Sequence, residues 1–278
     1  MDIEDIDVNS ILNKTQITEN TLVANPYVGC QHACIYCYAT FMIRFSGHAG
    51  QKWGSFIDIK HWRPLTDRKK SNLNGGNIMI GSVTDGYQPI ERRAKRTQAL
   101  LNEIKETTAT IQILTKSSLV LRDIPIFKEC KGKVAVGFSI NTLDESFHRE
   151  LDRASPISER IEALKTLHRE GIYTYCFIAP IMPVVTDVKK IIQTLASFVN
   201  EIWLDRLNLQ STTAKHNINE WLKHHEDIRH LYEEDSEEYY TNLKQDIKTY
   251  CRSKGYTFRQ DIFTKFNCKK LTITCFYD

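Results

Sequence analysis

The sequence contains no apolar run approaching the roughly 18 residues that a membrane span needs. Its first residues, MDIEDIDVNS, are acidic and lack the charged-then-apolar pattern of an export signal. Both absences predict a cytoplasmic protein with no membrane partner. No internal repeat and no low-complexity tract is present, so repeat architectures are excluded. Charge of one sign is also missing. A formal net charge of +3 gives bulk electrostatics no strong case for nucleic acid. With 41% hydrophobic and 26% charged residues the composition is that of an ordinary globular chain. Its 278 residues suit one large α/β domain better than two small ones.

The eight cysteines show no pairing rhythm, which suits a reducing compartment. Three of them fall in one stretch, Cys30-Gln31-His32-Ala33-Cys34-Ile35-Tyr36-Cys37, with spacing C-x3-C-x2-C and Tyr38 just after it. A disulfide framework leaves one of three clustered thiols unpaired. A structural zinc held by these cysteines and His32 is the second alternative. No second C-x2-C or H-x3-H pair supports it, and His32 lies too close to its neighbours to complete a tetrahedron easily. Three thiolates in eight residues suit one face of a [4Fe–4S] cluster, whose usual ligands are cysteine sulfurs. The fourth iron is then open to S-adenosylmethionine (SAM), which a reduced cluster can cleave to a 5′-deoxyadenosyl radical.

Downstream, strand and helix patterns alternate. Thr21–Ala24, Ile78–Val83, Ile111–Leu114, Val134–Ile140, Tyr173–Ile178 and Ile202–Leu209 read as strands. The clearest helix is Ser158–Arg169, with apolar residues at helical spacing between Ser155-Pro156 and Gly171. Such alternation predicts a parallel sheet with helices outside, and an active site at the carboxyl ends of the strands. The basic clusters at 63–70 and 92–96 read as solvated surface. From about Asn219 the chain becomes helical, charged and tyrosine-rich, and it ends on a β-like run, Leu271–Tyr277. The expected organisation is an N-terminal extension (1–20), a core (21–211) and a C-terminal cap (212–278).

Five blocks in order carry a resemblance: Asn25-Pro26-Tyr27-Val28-Gly29-Cys30 through Ala39, Thr84-Asp85-Gly86-Tyr87-Gln88-Pro89-Ile90-Glu91, Thr115-Lys116-Ser117, Phe138-Ser139-Ile140-Asn141-Thr142 and Ala179-Pro180-Ile181-Met182-Pro183. Together they resemble the spore photoproduct lyase-like branch of the radical SAM enzymes. The resemblance implies a (β/α)6 partial TIM barrel, with Cys30, Cys34 and Cys37 as cluster ligands. It places Tyr38 near the SAM adenine and Lys116 at the SAM carboxylate. Ser139 and Asn141 then face the sugar and amino-acid portions, and Arg153 is a further carboxylate contact. Asp85 reads equally as an ammonium contact and as a cap on the next turn. In the lyase itself a cysteine just ahead of the threonine–aspartate block returns a hydrogen atom. Here Ser82 stands in that neighbourhood, which argues against the lyase reaction.

Cys176, alternating with Thr174 and Ile178, is a candidate hydrogen-atom donor if its face points into the barrel. Arg206, Asn208 and Gln210, and beside the cofactor Tyr87 and Gln88, are candidate substrate contacts. Phe45, Trp53 and Phe56 in the long loop either cover the site or shield the cluster. Cys251, Cys268 and Cys275 do not match auxiliary-cluster spacings and read as buried small hydrophobes. The sequence thus predicts a cytoplasmic radical SAM enzyme served by an electron donor such as flavodoxin or ferredoxin. Nucleic acid or a nucleotide derivative is the favoured substrate class. The rival is a non-enzymatic nucleic-acid-binding protein stabilised by zinc or an iron–sulfur cluster.

Overall fold

Short runs of β-branched residues separated by amphipathic helices produce a parallel sheet wrapped by helices. The computed structural model describes residues 1–15, 20–233, 236–260 and 271–277, so Cys268 lies outside the described residues. Twelve strands are described: β1 (Asp2–Val8), β2 (Leu12–Lys14), β3 (Thr21–Ala24), β4 (Tyr27–Val28), β5 (Phe56–Trp62), β6 (Asn77–Ile80), β7 (Thr110–Thr115), β8 (Val134–Ser139), β9 (Tyr173–Ile181), β10 (Glu201–Arg206), β11 (Thr257–Arg259) and β12 (Thr272–Cys275). Strands β3, β6, β7, β8, β9 and β10 are hydrogen-bonded neighbours in chain order, all parallel. They form the (β/α)6 partial barrel, an α/β fold. Strands β12 and β11 extend it in parallel beyond β10, and β2 pairs antiparallel with β3 at the other edge.

Alternation sorts the strand residues onto two faces. Ile78, Ile80, Ile111, Ile113, Val136, Phe138, Ile178 and Ile202 pack outward with Leu100, Leu164, Leu167 and Ile192 of the surrounding helices. The inward face is aromatic and polar. Tyr175 packs with Trp203 at 4.4 Å between ring centroids, and Trp203 meets Phe276 at 5.6 Å. Phe177 lies 6.0 Å from Phe276. Gly137 makes this floor possible: a Cβ there would stand 2.2 Å from the Tyr175 ring.

Three features differ from the sequence expectation. The final run is part of the sheet as well as of the C-terminal segment, because β12 pairs with β10. Strand β6 stops at Ile80 and β10 at Arg206, both earlier than the apolar runs suggest. The N-terminal residues and the long loop after the cysteines form a second sheet, β1-β5-β4, beside the cysteine loop. No helix among the described residues is long and apolar enough to cross a membrane.

Candidate active site

Strand β4 delivers the chain to Cys30 through Gly29. The loop then turns on itself, with the Ala33 N–H bonded to the Cys30 carbonyl at 3.2 Å and the Cys37 N–H to the Cys34 carbonyl at 3.1 Å. It leads into a 3-10 helix, Tyr38–Phe45. Cys30 and Cys34 are buried and Cys37 is half-buried, all as free thiols. Burial pushes every one of these thiols upward, Cys30 to about 12. Opposing groups are already in place. Backbone N–H groups of Asp85 and His32 are directed at the Cys30 sulfur, and those of Ala39 and Thr40 at Cys37. The Lys116 ammonium acts on Cys34 and Cys37 in the same sense. These groups oppose the effect of burial without overcoming it, and three clustered cysteine sulfurs fit an iron–sulfur group, whose ligands must be deprotonated. Among the described residues no three or more His, Cys, Asp or Glu side chains gather around a point suited to one metal ion.

Two buried carboxylates hold the loop. Asp85 accepts from His32 Nε2 at 3.0 Å, from the Thr115 hydroxyl at 2.8 Å, and from the Tyr87 and Lys116 backbone N–H groups, both at 2.7 Å. Burial pushes its carboxyl up, but the charge and hydrogen bond of His32 and the two N–H donors outweigh that and lower it. Asp152 accepts from the Tyr36 hydroxyl at 2.9 Å and from Arg160 at 2.7 Å. Burial opposes its ionisation too, yet His148, Arg160 and Lys116 hold it far below the usual carboxylate range. Gln88 adds a third tie, accepting from the Gln31 N–H at 2.8 Å and donating to the Gly29 carbonyl at 3.2 Å. The helix Thr212–Leu222 covers the other side, where Ile218, Trp221 and Leu222 pack with Cys34 and Tyr36.

At the carboxyl ends of β7 and β8, Lys116 Nζ donates to Ser139 Oγ at 2.6 Å, and Ser139 donates to the Ala179 carbonyl at 3.0 Å. Lys116 also lies 5.6 Å from the Tyr36 ring centroid. No carboxylate among the described residues lies within ion-pair distance of it, and Asn141 Nδ2 is buried without a partner. A half-buried cation and an orphaned amide donor beside the thiols can receive a polar ligand carrying a carboxylate.

Residues 24–196 match the family model described as the radical SAM superfamily. The chain belongs to this superfamily. It is therefore an enzyme of the radical SAM type. An uncharacterized protein of Methanocaldococcus jannaschii is 41% identical over 202 residues, covering 72% of this chain and 76% of that one. A radical SAM Nalpha-GlyT isomerase of Pseudomonas phage M6 is 26% identical over 189 residues, covering 64% of this chain and 38% of that one. The chain spans half the length of its mycobacterial relatives. The fold is similar to a spore photoproduct lyase mutant with bound AdoMet and dinucleoside spore photoproduct. That likeness has a TM-score of 0.54, 15% identity, and coverage of 77% of this chain and 71% of that one. Membership in a catalytic family overturns the non-enzymatic alternative.

For a radical SAM enzyme, the structure brings Cys30, Cys34, Cys37, Lys116 and Ser139 together, and Asn141 follows two residues after Ser139 beyond the end of β8. Tyr38 stands beside them, its hydroxyl bonded to the Ser82 carbonyl. Seven predicted residues have other places. Cys176 faces outward among the helix-packed side chains, so it is no hydrogen donor to a barrel ligand; the parity of β9 puts Tyr175 and Phe177 inward instead. Asp85 has its lone pairs occupied by four protein donors, which makes it the turn cap rather than an ammonium contact. Tyr87 is fully buried in the core, and Gln88 is spent on the loop, so neither reaches a substrate. Arg206 is paired with Glu237 at 2.7 Å. Asn208 and Gln210 lie past the end of β10, where Asn208 accepts from the Gln210 N–H. These three line a cavity of about 520 Å³ against Tyr232, Glu237 and Tyr240, and none of the three cysteines shares it. Arg153 is exposed; its backbone N–H bonds the His32 carbonyl at 2.8 Å. Cys251 and Cys275 are buried in the main core.

Tyr36, Asp152 and Arg160 were not foreseen. Arg160 carried a signal, since it shares the apolar stripe of the helix Ile157–Arg169 with Ile157, Leu164 and Leu167. A charge on such a stripe marks a buried ion pair. Asp152 and Tyr36 gave no comparable pattern.

Proposed function

We propose that Cys30, Cys34 and Cys37 ligate a [4Fe–4S] cluster and that the neighbouring barrel mouth binds SAM. The carrying observation is the half-buried Lys116 cation, which acts on the Cys34 and Cys37 sulfurs and forms no ion pair within 4 Å among the described residues. When bound, the cluster and SAM supply a 5′-deoxyadenosyl radical that abstracts hydrogen from the substrate. The protein's part is to place and enclose. Lys116 pairs with the SAM carboxylate, Ser139 holds the Lys116 ammonium in position, and Asn141 offers its free amide to the cofactor. Tyr38 flanks the adenine, and Arg153 lies on the loop's exposed side as a further anionic contact. The chain joins the spore photoproduct lyase-like branch in this reading, without the lyase's donor cysteine.

The substrate class in this proposal is a nucleotide or nucleic acid. The support is the half-buried inward aromatics Phe177, Trp203 and Phe276, since aromatic faces stack bases. The dinucleoside held by the enzyme of similar fold points the same way. An electron donor of the flavodoxin or ferredoxin type in the cytoplasm completes the proposal. The test is anaerobic reconstitution with iron and sulfide, then dithionite and SAM. Methionine and 5′-deoxyadenosine should form, and Cys34→Ala should abolish both cluster and cleavage. Turnover retained by that variant would remove the ligand assignment.

A further inference from the structure

The loop between the cysteines and β5 is built to hold one indole against the cluster loop. Gly54 sits at φ +88°, and a Cβ there would lie 2.5 Å from the Ala33 Cβ, so this backbone passes directly over the turn between Cys30 and Cys34. The preceding Trp53 is only 6% exposed and packs with Cys30, Ala39, Phe56 and the half-buried Cys37. Its ring meets Phe56 edge-on, at 6.0 Å and 86°. Phe56 stacks on His48 at 3.9 Å, and His48 Nε2 is 2.7 Å from the Asp58 carboxylate. The indole is thus fixed by a chain of contacts reaching into β5.

Despite this, the Trp53 Nε1–H is buried with no hydrogen-bond partner in the protein. Buried donors are almost always paired, so an orphan in so well-packed a place calls for an acceptor. The half-buried Cys37 packs against the same group of side chains, and of the three cysteines it is the one on which the indole N–H acts.

We propose that Trp53 donates its indole N–H to the Cys37 sulfur when that sulfur carries the cluster, and that this bond raises the cluster's reduction potential. The inference rests on the three-cysteine cluster proposed above. A neutral donor at a ligand sulfur withdraws electron density from it, and this favours the reduced cluster over the oxidised one. Trp53 acts through Cys37, as a positioning and tuning residue that touches no substrate. Phenylalanine keeps most of the ring packing and removes the donor.

The experiment is an anaerobic redox titration of reconstituted wild-type protein and Trp53→Phe, followed by electron paramagnetic resonance. The expected result is a more negative midpoint potential in Trp53→Phe, with iron and sulfide per chain and SAM affinity unchanged. An unaltered potential in a fully loaded variant overturns the inference while leaving the cluster intact. If Trp53→Phe does not fold, wild-type protein labelled with [indole-15N]tryptophan provides the second measurement. Pulsed resonance of its reduced cluster should show a 15N coupling, and its absence overturns the inference. A wild-type protein that takes up no iron and sulfide overturns the cluster reading itself, and this inference with it.

Discussion

His32 Nε2 lies 3.0 Å from the Asp85 carboxylate, and both side chains are buried. Asp85 also accepts the backbone N–H of Lys116, so one carboxylate anchors both the cysteine loop and the cation proposed for SAM. Asp85→Asn replaces an acceptor-only group with one that presents donors to four donors. A buried mismatch of this kind costs about 1–3 kcal/mol. For a chain of this size each kcal/mol lowers the melting temperature by roughly 2–4 °C. Calorimetry should show that drop, and iron uptake on reconstitution should fall with it.

Asp152 gives a pH signature. Its carboxyl is held far below the usual range in the folded protein, whereas the unfolded chain titrates near pH 4, the ordinary value. Its stabilising effect is therefore present in full above about pH 4 and is lost as pH falls from there toward the folded value. Urea unfolding between pH 6 and pH 3, each roughly bracketing that window, should show wild-type stability declining on acidification. Asp152→Asn should be less stable at neutral pH and flatter across the acid range. An equally steep decline in the variant would remove Asp152 as its source.

The proposed Lys116 pairing predicts a binding defect separate from cluster loading. Lys116→Met keeps the stem and removes the charge. A charge-assisted hydrogen bond contributes about 1.5–3 kcal/mol, so SAM affinity should weaken roughly 10- to 100-fold. Because Lys116 also favours the Cys34 and Cys37 thiolates, the comparison is made at equal iron per chain. Titration calorimetry on the reconstituted protein measures the first quantity and a colorimetric iron assay the second.

Thiol ionisation governs loading. Because burial raises all three cysteines, with Cys30 at about 12, the metal-free protein holds them protonated near neutral pH. Ligand binding must then release protons, and uptake should improve as pH rises. Iron stoichiometry after reconstitution across pH 6.5 to 8.5, a window about one unit either side of neutral chosen around the thiol reference values, should climb. A flat or falling profile would contradict it.

Gly137→Ala tests the aromatic floor. The added methyl would meet Tyr175 carbons at 2.2 Å, and that ring is pinned by its hydroxyl to the Ile113 carbonyl at 2.8 Å. Overpacking of this kind costs about 1–3 kcal/mol. Thermal denaturation should show the loss, and tryptophan fluorescence should shift as Trp203 is displaced.

The cysteine spacing and the order of the six core strands were legible, because each rests on local spacing or on strand alternation, whereas the Lys116–Ser139 hydrogen bond was not. Facing was less so. Cys176 sits one position from the inward parity of β9, and a single-residue offset decides whether a thiol sees ligand or helix. The β1-β5-β4 sheet was hidden because Asp2–Val8 is acidic and largely exposed, so its apolar pattern gives no burial signal. The tie between Asp152 and Tyr36 joins residues far apart in the chain, and no periodicity reports such a pair.

The pairing of β12 with β10 has a kinetic consequence. Every element of the proposed radical generator, from Cys30 to Asn141, lies in the first two-thirds of the chain. Phe276 completes the inward floor only after β12 returns across the long segment that follows β10. Closing so large a loop is entropically slow relative to pairing neighbouring strands. The cysteine loop and its carboxylate ties can therefore form while the floor still stands open, so the cysteine side of the barrel matures before its aromatic floor.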